Sequence, residues 1–149
     1  MCLENNGCIG DILKVILVLQ EHAEHEEECL DTCDRGFLGN KTHKRIFNTR
    51  PVVLYTCCGN GVPWSMPTVR EDINCAENTR QPDLCSNVFR IEKLDDGCAT
   101  FRVLRKVRDG VEARHEDCEE YEATDSFFTI TLECLCAIRC LKDTFVEGV

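Results

Sequence analysis

Residues 125–141 carry the most regular alternation of apolar and polar positions in the chain. Apolar residues and cysteines occupy the even positions from 128 onwards, and polar residues such as Thr129 and Glu133 are found at odd positions. This period of two is typical of a strand with one buried face. At about 3.3 Å per residue the strand would be longer than most, so we expect a bend near residues 136–139. The row of thiols on the predicted buried face indicates a core strand that ends as a cysteine edge. The even positions from 128 onwards are Phe128, Ile130, Leu132, Cys134, Cys136, Ile138 and Cys140.

A second periodic segment lies near the N-terminus, where apolar residues recur every three and four positions and predict an amphipathic helix. Asp11 fits an N-cap, and we expect the helix to run to about Cys29, with Cys33 just beyond it. Its second half is acidic and should face solvent. The predicted apolar stripe is Ile9, Ile12, Ile16, Leu19 and Ala23, widened by Leu13 and Leu17.

The middle of the chain reads as short strands separated by turn signals. Residues 50–58 form the first, and a Gly-Asn-Gly turn at 59–61 leads into residues 62–66 as a returning partner. Residues 87–94 and 98–107 predict a hairpin around Asp-Asp-Gly, whereas residues 67–82 and 109–121 read as loops. We therefore predict an α+β fold with one N-terminal helix and a mostly antiparallel sheet, a small sandwich or barrel-like layer. Residues 1–36 are the arm and helix, and residues 37–149 are the β-rich part of a single structural unit.

Composition changes this picture through the cysteines. A chain of 149 residues can bury a core without disulfides, yet 13 of its residues are Cys. Because the number is odd, at least one thiol has no partner within the chain. The start of the sequence lacks a basic leader followed by a long apolar run, so we expect no signal peptide and synthesis in a reducing cytosol. The thiols must then hold metal, stay reduced or oxidise late.

Charge limits the partners. The formal net charge is −10, and phosphate groups require concentrated positive charge, so we expect neither nucleic acid nor a membrane surface as a partner.

The sequence offers weak signals for metal binding and catalysis. His22, His25, Cys29 and Cys33 are spaced so that one helical face could present them to zinc, but no Cys-x-x-Cys pair is present. A solvated acidic face is the commoner meaning of such a stretch, and a cytosolic zinc-binding or thiol-redox protein remains the alternative. His115 near Cys118 lies in a charged loop without a base oriented in a pocket. We predict no catalytic residues, no enzyme activity and no cofactor.

Three segments resemble a known family. NTRPVVLYT (residues 48–56), VFRIEKLDDGCATFRVLR (88–105) and ITLECLCAIRCLKD (130–143) resemble the cysteine-rich spore coat proteins Y and Z and their exosporium counterpart. The resemblance implies a structural protein of the bacterial spore surface (coat, crust or exosporium), made in the mother-cell cytoplasm. It further implies hexamers that form a hexagonal two-dimensional array with other copies, meet other coat proteins and are hardened by disulfides.

The cysteines divide into groups under this hypothesis. Cys2 and Cys8 sit on an N-terminus that should be mobile and able to reach a neighbouring subunit. Cys136 and Cys140, near the chain end, join them as candidates for disulfides between subunits. Cys134 can equally be a small buried residue. Cys75 and Cys118 lie in loops that match nothing in the family pattern and inherit no role. The other disulfide candidates are Cys29, Cys33, Cys57, Cys58, Cys98 and Cys134.

Overall fold

The computed structural model describes residues 7–23, 47–75, 84–107 and 120–149, and the following statements concern these residues. One α-helix precedes seven strands, and a short 3-10 helix separates the last two strands. The elements are α1 (Gly7–Glu21), β1 (Val52–Thr56), β2 (Met66–Pro67), β3 (Cys85–Ser86), β4 (Val88–Asp95), β5 (Cys98–Lys106), β6 (Tyr121–Thr131), the 3-10 helix (Leu132–Cys134) and β7 (Leu135–Cys140).

The α+β prediction is confirmed. Five antiparallel strands form the main sheet in the order β6-β5-β4-β1-β7, and β2 and β3 form a small ribbon beside it. The predicted hairpin is β4–β5, and Gly97 takes a φ of 79° in its turn, a conformation that glycine adopts without steric cost. The other predicted turn closes with Val62 N–H donating to the Gly59 carbonyl, and Asn60 and Gly61 both have positive φ, as a type I′ turn requires.

The main sheet is open but strongly curled. β1 and β4 share only the pair Val52 and Phe89, so little holds these two strands side by side. β6 and β7 lie at opposite edges, yet only Leu132–Cys134 connects them. Four Cα–Cα steps reach at most about 15 Å, whereas the edges of a flat five-stranded sheet lie about 19 Å apart. The sheet therefore curls until its edges meet at this connection, although no ladder among the described strands closes it into a barrel.

The core fills the inside of the curl. Phe89 and Phe128 meet edge to face with ring centroids 4.8 Å apart, and Phe101 stacks on Phe128 at 5.5 Å. From α1, Leu13 and Ile16 reach the same cluster and are almost fully buried, which contributes about 1.5–3 kcal/mol for each side chain. Helix and sheet thus share one core.

Buried polar groups fix the helix end and the chain end against the sheet. Gln20 donates through Nε2 to the Ile91 carbonyl at 2.9 Å and accepts from the Arg50 N–H at 3.1 Å. Asn48 bonds both the N–H and the carbonyl of Val146 at 2.8 Å. Because an unpaired buried polar group is costly, these bonds select one placement of both segments.

The helix differs from its prediction in where it begins and ends and in which side chains it buries. It begins at Gly7, four residues before the predicted N-cap, and ends at Glu21. Ile16 is buried as predicted, but Ile12 and Leu19 are 42% and 51% exposed. Leu13, Ile9 and Leu17 of the predicted stripe contact the core as expected, and Gln20 is buried where Leu19 was predicted. The predicted continuation to Cys29 lies outside the described residues.

The last segment bends earlier than predicted. The break is the 3-10 helix Leu132–Cys134, not residues 136–139. Leu132 and Leu135 are both buried and Ile138 packs against the core, so the inward residues are three positions apart here and the alternation of even positions ends at this break. Cys134, Cys136 and Cys140 are consequently exposed instead of buried.

The predicted return strand after the first turn forms only in part. Trp64 N–H donates to the Leu54 carbonyl at 2.7 Å, but Met66 pairs with Ser86 instead of β1.

Candidate functional site: a corner of cysteines

The 3-10 helix between β6 and β7 gathers cysteines that are far apart in the sequence. Cys57 follows β1, and its N–H donates to the Cys134 carbonyl at 2.9 Å. Cys98 begins β5 opposite Thr131, whose hydroxyl lies 3.7 Å from the Cys134 sulfur. We call this part of the molecule the cysteine corner. It comprises Cys57, Cys58, Cys98, Cys134 and Cys136.

A disulfide within the chain joins Cys57 to Cys136 in this corner. The sequence put Cys136 among the candidates for a disulfide between subunits, but the structure pairs it inside one chain. The cause is strand order: β1 and β7 are neighbours, and Thr56 lies opposite Leu135. The Cα atoms of Cys57 and Cys136 are therefore 5.0 Å apart, inside the usual range for a disulfide.

The remaining cysteines of the corner carry free thiols. Cys58 and Cys134 are exposed, and Cys98 is half-buried. Cys58 lies beside Cys57 in a turn that the Gly59 N–H closes by donating to the Thr56 carbonyl at 3.2 Å. The corner thus holds an oxidised pair and free thiols side by side.

A second disulfide joins Cys75 to Cys85, with a Cα separation of 5.7 Å. Sequence reasoning gave Cys75 no role and overlooked Cys85. The signal was present, because the two cysteines lie on either side of a short polar stretch of the sequence; Cys75 comes after β2, and Cys85 begins β3. This disulfide closes the ribbon and lies outside the corner.

Two further exposed thiols lie away from the corner. Cys8 is in the first turn of α1, and Cys140 ends β7 opposite Val52. Near Cys140, Arg50 binds Asp143 through two hydrogen bonds of 2.6 and 2.9 Å. The hydrogen bonds that Arg50 donates to Asp143 raise the pKa of the Arg50 guanidinium against the opposing effect of partial burial, and the charge of Asp143 acts in the same direction.

Several predicted residues lie outside the part of the chain that the structure describes. Of the four residues considered for zinc, only His22 is described, and its ring nitrogen contacts the Val18 carbonyl at 2.9 Å. Among the described residues no group of three or more His, Cys, Asp or Glu side chains is arranged to hold a metal ion. The undescribed candidates are Cys2, His25, Cys29, Cys33, His115 and Cys118.

Chemically, the described site can form, break and exchange disulfides at the surface of a folded domain. Within the described ranges no helix combines the length and apolar character that crossing a membrane requires. These features define a cysteine-rich α+β protein with thiols and a disulfide exposed on its surface.

Comparison with protein families assigns the chain. Residues 3–143 match the family described as spore coat protein Z. Because the match spans nearly the whole chain, the protein belongs to that family. No curated protein and no solved structure matches it. Membership gives the protein a structural role in the spore coat and a location at the spore surface.

Proposed function

We propose that this protein is a non-catalytic building block that assembles with its own copies into a hexagonal two-dimensional array, which disulfides between subunits then harden. The rings of the array are hexamers, as the resemblance to the spore coat proteins Y and Z implies, and a closed ring is a symmetry that homo-oligomers favour. Other proteins of the coat, crust or exosporium attach to this array. Family membership supports the structural role, and the arrangement of thiols supports the hardening.

The observation that carries the proposal is the distribution of exposed free thiols over separate places of one domain. Cys8 lies at the start of the helix, Cys58 and Cys134 lie at the corner, and Cys140 lies at the far end of β7. From Cys134 to Cys140 the chain advances about 20 Å at the rise of a strand. A subunit linked at one place gives only dimers, and one linked at two places gives linear chains or closed rings. Three places are enough for a sheet.

A noncovalent contact precedes the disulfides in this scheme, and the helix offers one. Cys8, Ile12, Val15 and Leu19 follow one another at intervals of four, three and four residues, the seam spacing of two packed helices. The three apolar side chains are exposed, on the side of α1 away from Leu13. Because the same stripe carries an exposed thiol, a second copy is the partner that fits it.

Docking before oxidation explains how specific links form. Subunits held in a lattice present their thiols to each other at a high effective concentration, so reactions that are slow in dilute solution become local. In the mother cell the thiols stay reduced, and oxidation follows when the surroundings become oxidising. A lattice tied at many points resists heat because unfolding one domain no longer releases it.

Electron microscopy of the purified protein with and without reductant tests the proposal. We expect ordered sheets in both conditions, and only the oxidised sheets should survive heating or denaturant. If reduced and oxidised sheets resist heat equally, disulfides do not harden the array. If the protein in air stays a monomer with no intermolecular disulfide, the building-block function itself is wrong.

A further inference from the structure

The two described disulfides differ in how accessible their sulfur atoms are to a thiolate of another molecule. Cys57 and Cys136 are both exposed, whereas Cys75 and Cys85 are half-buried. Cys136 lies on β7, which is an edge strand of the described sheet. Exchange requires a thiolate to reach a sulfur of the disulfide, so access decides which disulfide reacts. The Cys57–Cys136 disulfide is the one that an approaching protein can reach.

We propose that Cys57–Cys136 is an exchange site at which a thiolate of a second copy forms the link between subunits. The incoming sulfur bonds to Cys136 Sγ, the bond between Cys136 and Cys57 breaks, and its electron pair leaves with Cys57, which takes a proton from water. One disulfide is lost and one is gained, and one thiol is consumed and one released. This step needs no oxidant, because the oxidation took place earlier, when the Cys57–Cys136 disulfide formed. The inference rests on the proposed array, because it names the site and the chemistry of its hardening.

The surroundings of Cys57 indicate which sulfur leaves. Its Sγ lies 3.8 Å from the Glu133 carbonyl oxygen, and in the disulfide this sulfur has no proton to donate. After exchange the Cys57 thiol can donate to that carbonyl. Its backbone N–H is already bonded to Cys134, so the residue stays in place. The product with Cys136 in the new link and Cys57 as a hydrogen-bonded thiol is therefore the favoured one at equilibrium.

The corner also identifies the partner as another copy. The same surface that holds the exposed disulfide holds the free thiols of Cys58 and Cys134. In a two-fold contact between two corners, each copy offers thiols to the disulfide of the other. The attacking thiols and the disulfide that they attack are thus on one self-complementary surface.

The test uses protein with both described disulfides oxidised and the other thiols reduced, kept free of oxygen and of metal ions that catalyse oxidation. Cross-linked subunits are measured by non-reducing electrophoresis, and free thiols per chain are counted with a thiol reagent. We expect cross-links to accumulate while the number of free thiols stays constant. Peptide mass mapping should find Cys136 in the intermolecular disulfide and Cys57 newly open to alkylation. Links that carry Cys57 instead would contradict the assigned leaving sulfur.

Matched double variants separate this disulfide from a purely structural one. Cys57→Ser with Cys136→Ser should lose oxygen-free cross-linking but keep cross-linking in air, and Cys75→Ser with Cys85→Ser should behave as wild type. Oxygen-free cross-linking that survives the loss of Cys57 and Cys136 would overturn the proposal.

A probe on the unaltered protein remains informative if a variant fails to fold. One equivalent of reduced glutathione should form an adduct on Cys136 and release Cys57. No adduct, or an adduct on Cys75 or Cys85, overturns the exchange site. Cross-linking that occurs only in air, with two thiols lost for each link, overturns exchange but leaves the array intact. No cross-linking in either condition overturns the proposed hardening.

Discussion

At the scale of single residues, the two disulfides close loops of very different length. Cys57 and Cys136 are 79 positions apart, and Cys75 and Cys85 are 10 positions apart. In the chain-entropy description, the longer loop corresponds to about 4.5 kcal/mol of stabilisation and the shorter one to about 2.8 kcal/mol. Replacing the first pair by serine should therefore lower the free energy of unfolding more than replacing the second.

Urea unfolding of the dilute, unassociated variants measures this difference, because the midpoint and slope give the free energy of unfolding. Wild-type protein in reductant is the control, since it lacks both disulfides at once. A larger loss from the Cys75–Cys85 variant would mean that native-state contacts, not loop length, decide the contribution of each disulfide.

At the scale of elements, α1 has two faces with different tasks. Leu13 and Ile16 fix the helix to the sheet, whereas Val15 on the opposite side is 57% exposed. Val15→Glu should leave the fold intact, because glutamate tolerates both the helix and the solvent. It should weaken association, because a charge would be buried in the contact between copies.

Sedimentation under reducing conditions checks this effect, since no disulfide then contributes to the size of the assembly. Val69→Glu is the matched control: Val69 is 36% exposed in the bend after β2, outside both the helix and the cysteine corner. Equal sedimentation of the two variants would remove α1 from the contact between subunits.

The same elements show what could be predicted from sequence. The hairpin β4–β5 was predictable because its turn and its alternating side chains are local signals. The buried face of α1 was predictable only in part: Leu13 and Ile16 are buried as expected, but Ile12 and Leu19 are equally apolar and only the sheet selects among them. Periodicity also could not place the break at Leu132–Cys134, since cysteine fits either face.

The corner was beyond sequence reasoning for a different reason. Cys57 and Cys136 meet only because β7 pairs with β1, and this pairing is a long-range result of the curled sheet. The candidates among the cysteines could be named from the sequence, but their partners depend on the order of the strands. Cys85 differs, because it lies only 10 positions from Cys75, so the sequence alone offered the two as a local pair.

At the scale of the whole molecule, charge and thiols act at different ranges. A net charge of −10 makes copies repel one another, but salt screens this repulsion beyond about 8 Å at physiological ionic strength. Screening lets copies approach each other, but at contact distance like charges still repel. Short-ranged attractions, namely apolar contacts and disulfides, must therefore hold the subunits together. The number of separate places that carry such contacts then decides whether copies form dimers, chains or a sheet.

This dependence on the number of linking places gives a whole-molecule prediction. In a background with Cys2, Cys29, Cys33 and Cys118 replaced by serine, adding Cys8→Ser and Cys140→Ser leaves the corner as the one place for links. Oxidised product should then stop at dimers on a denaturing, non-reducing gel, because one two-fold contact joins only two copies. Restoring Cys8 or Cys140 should extend the ladder beyond dimers. A series of bands larger than dimers from the corner-only variant would mean that one corner links several copies. The number of copies that a subunit can link would then not depend on Cys8 or Cys140.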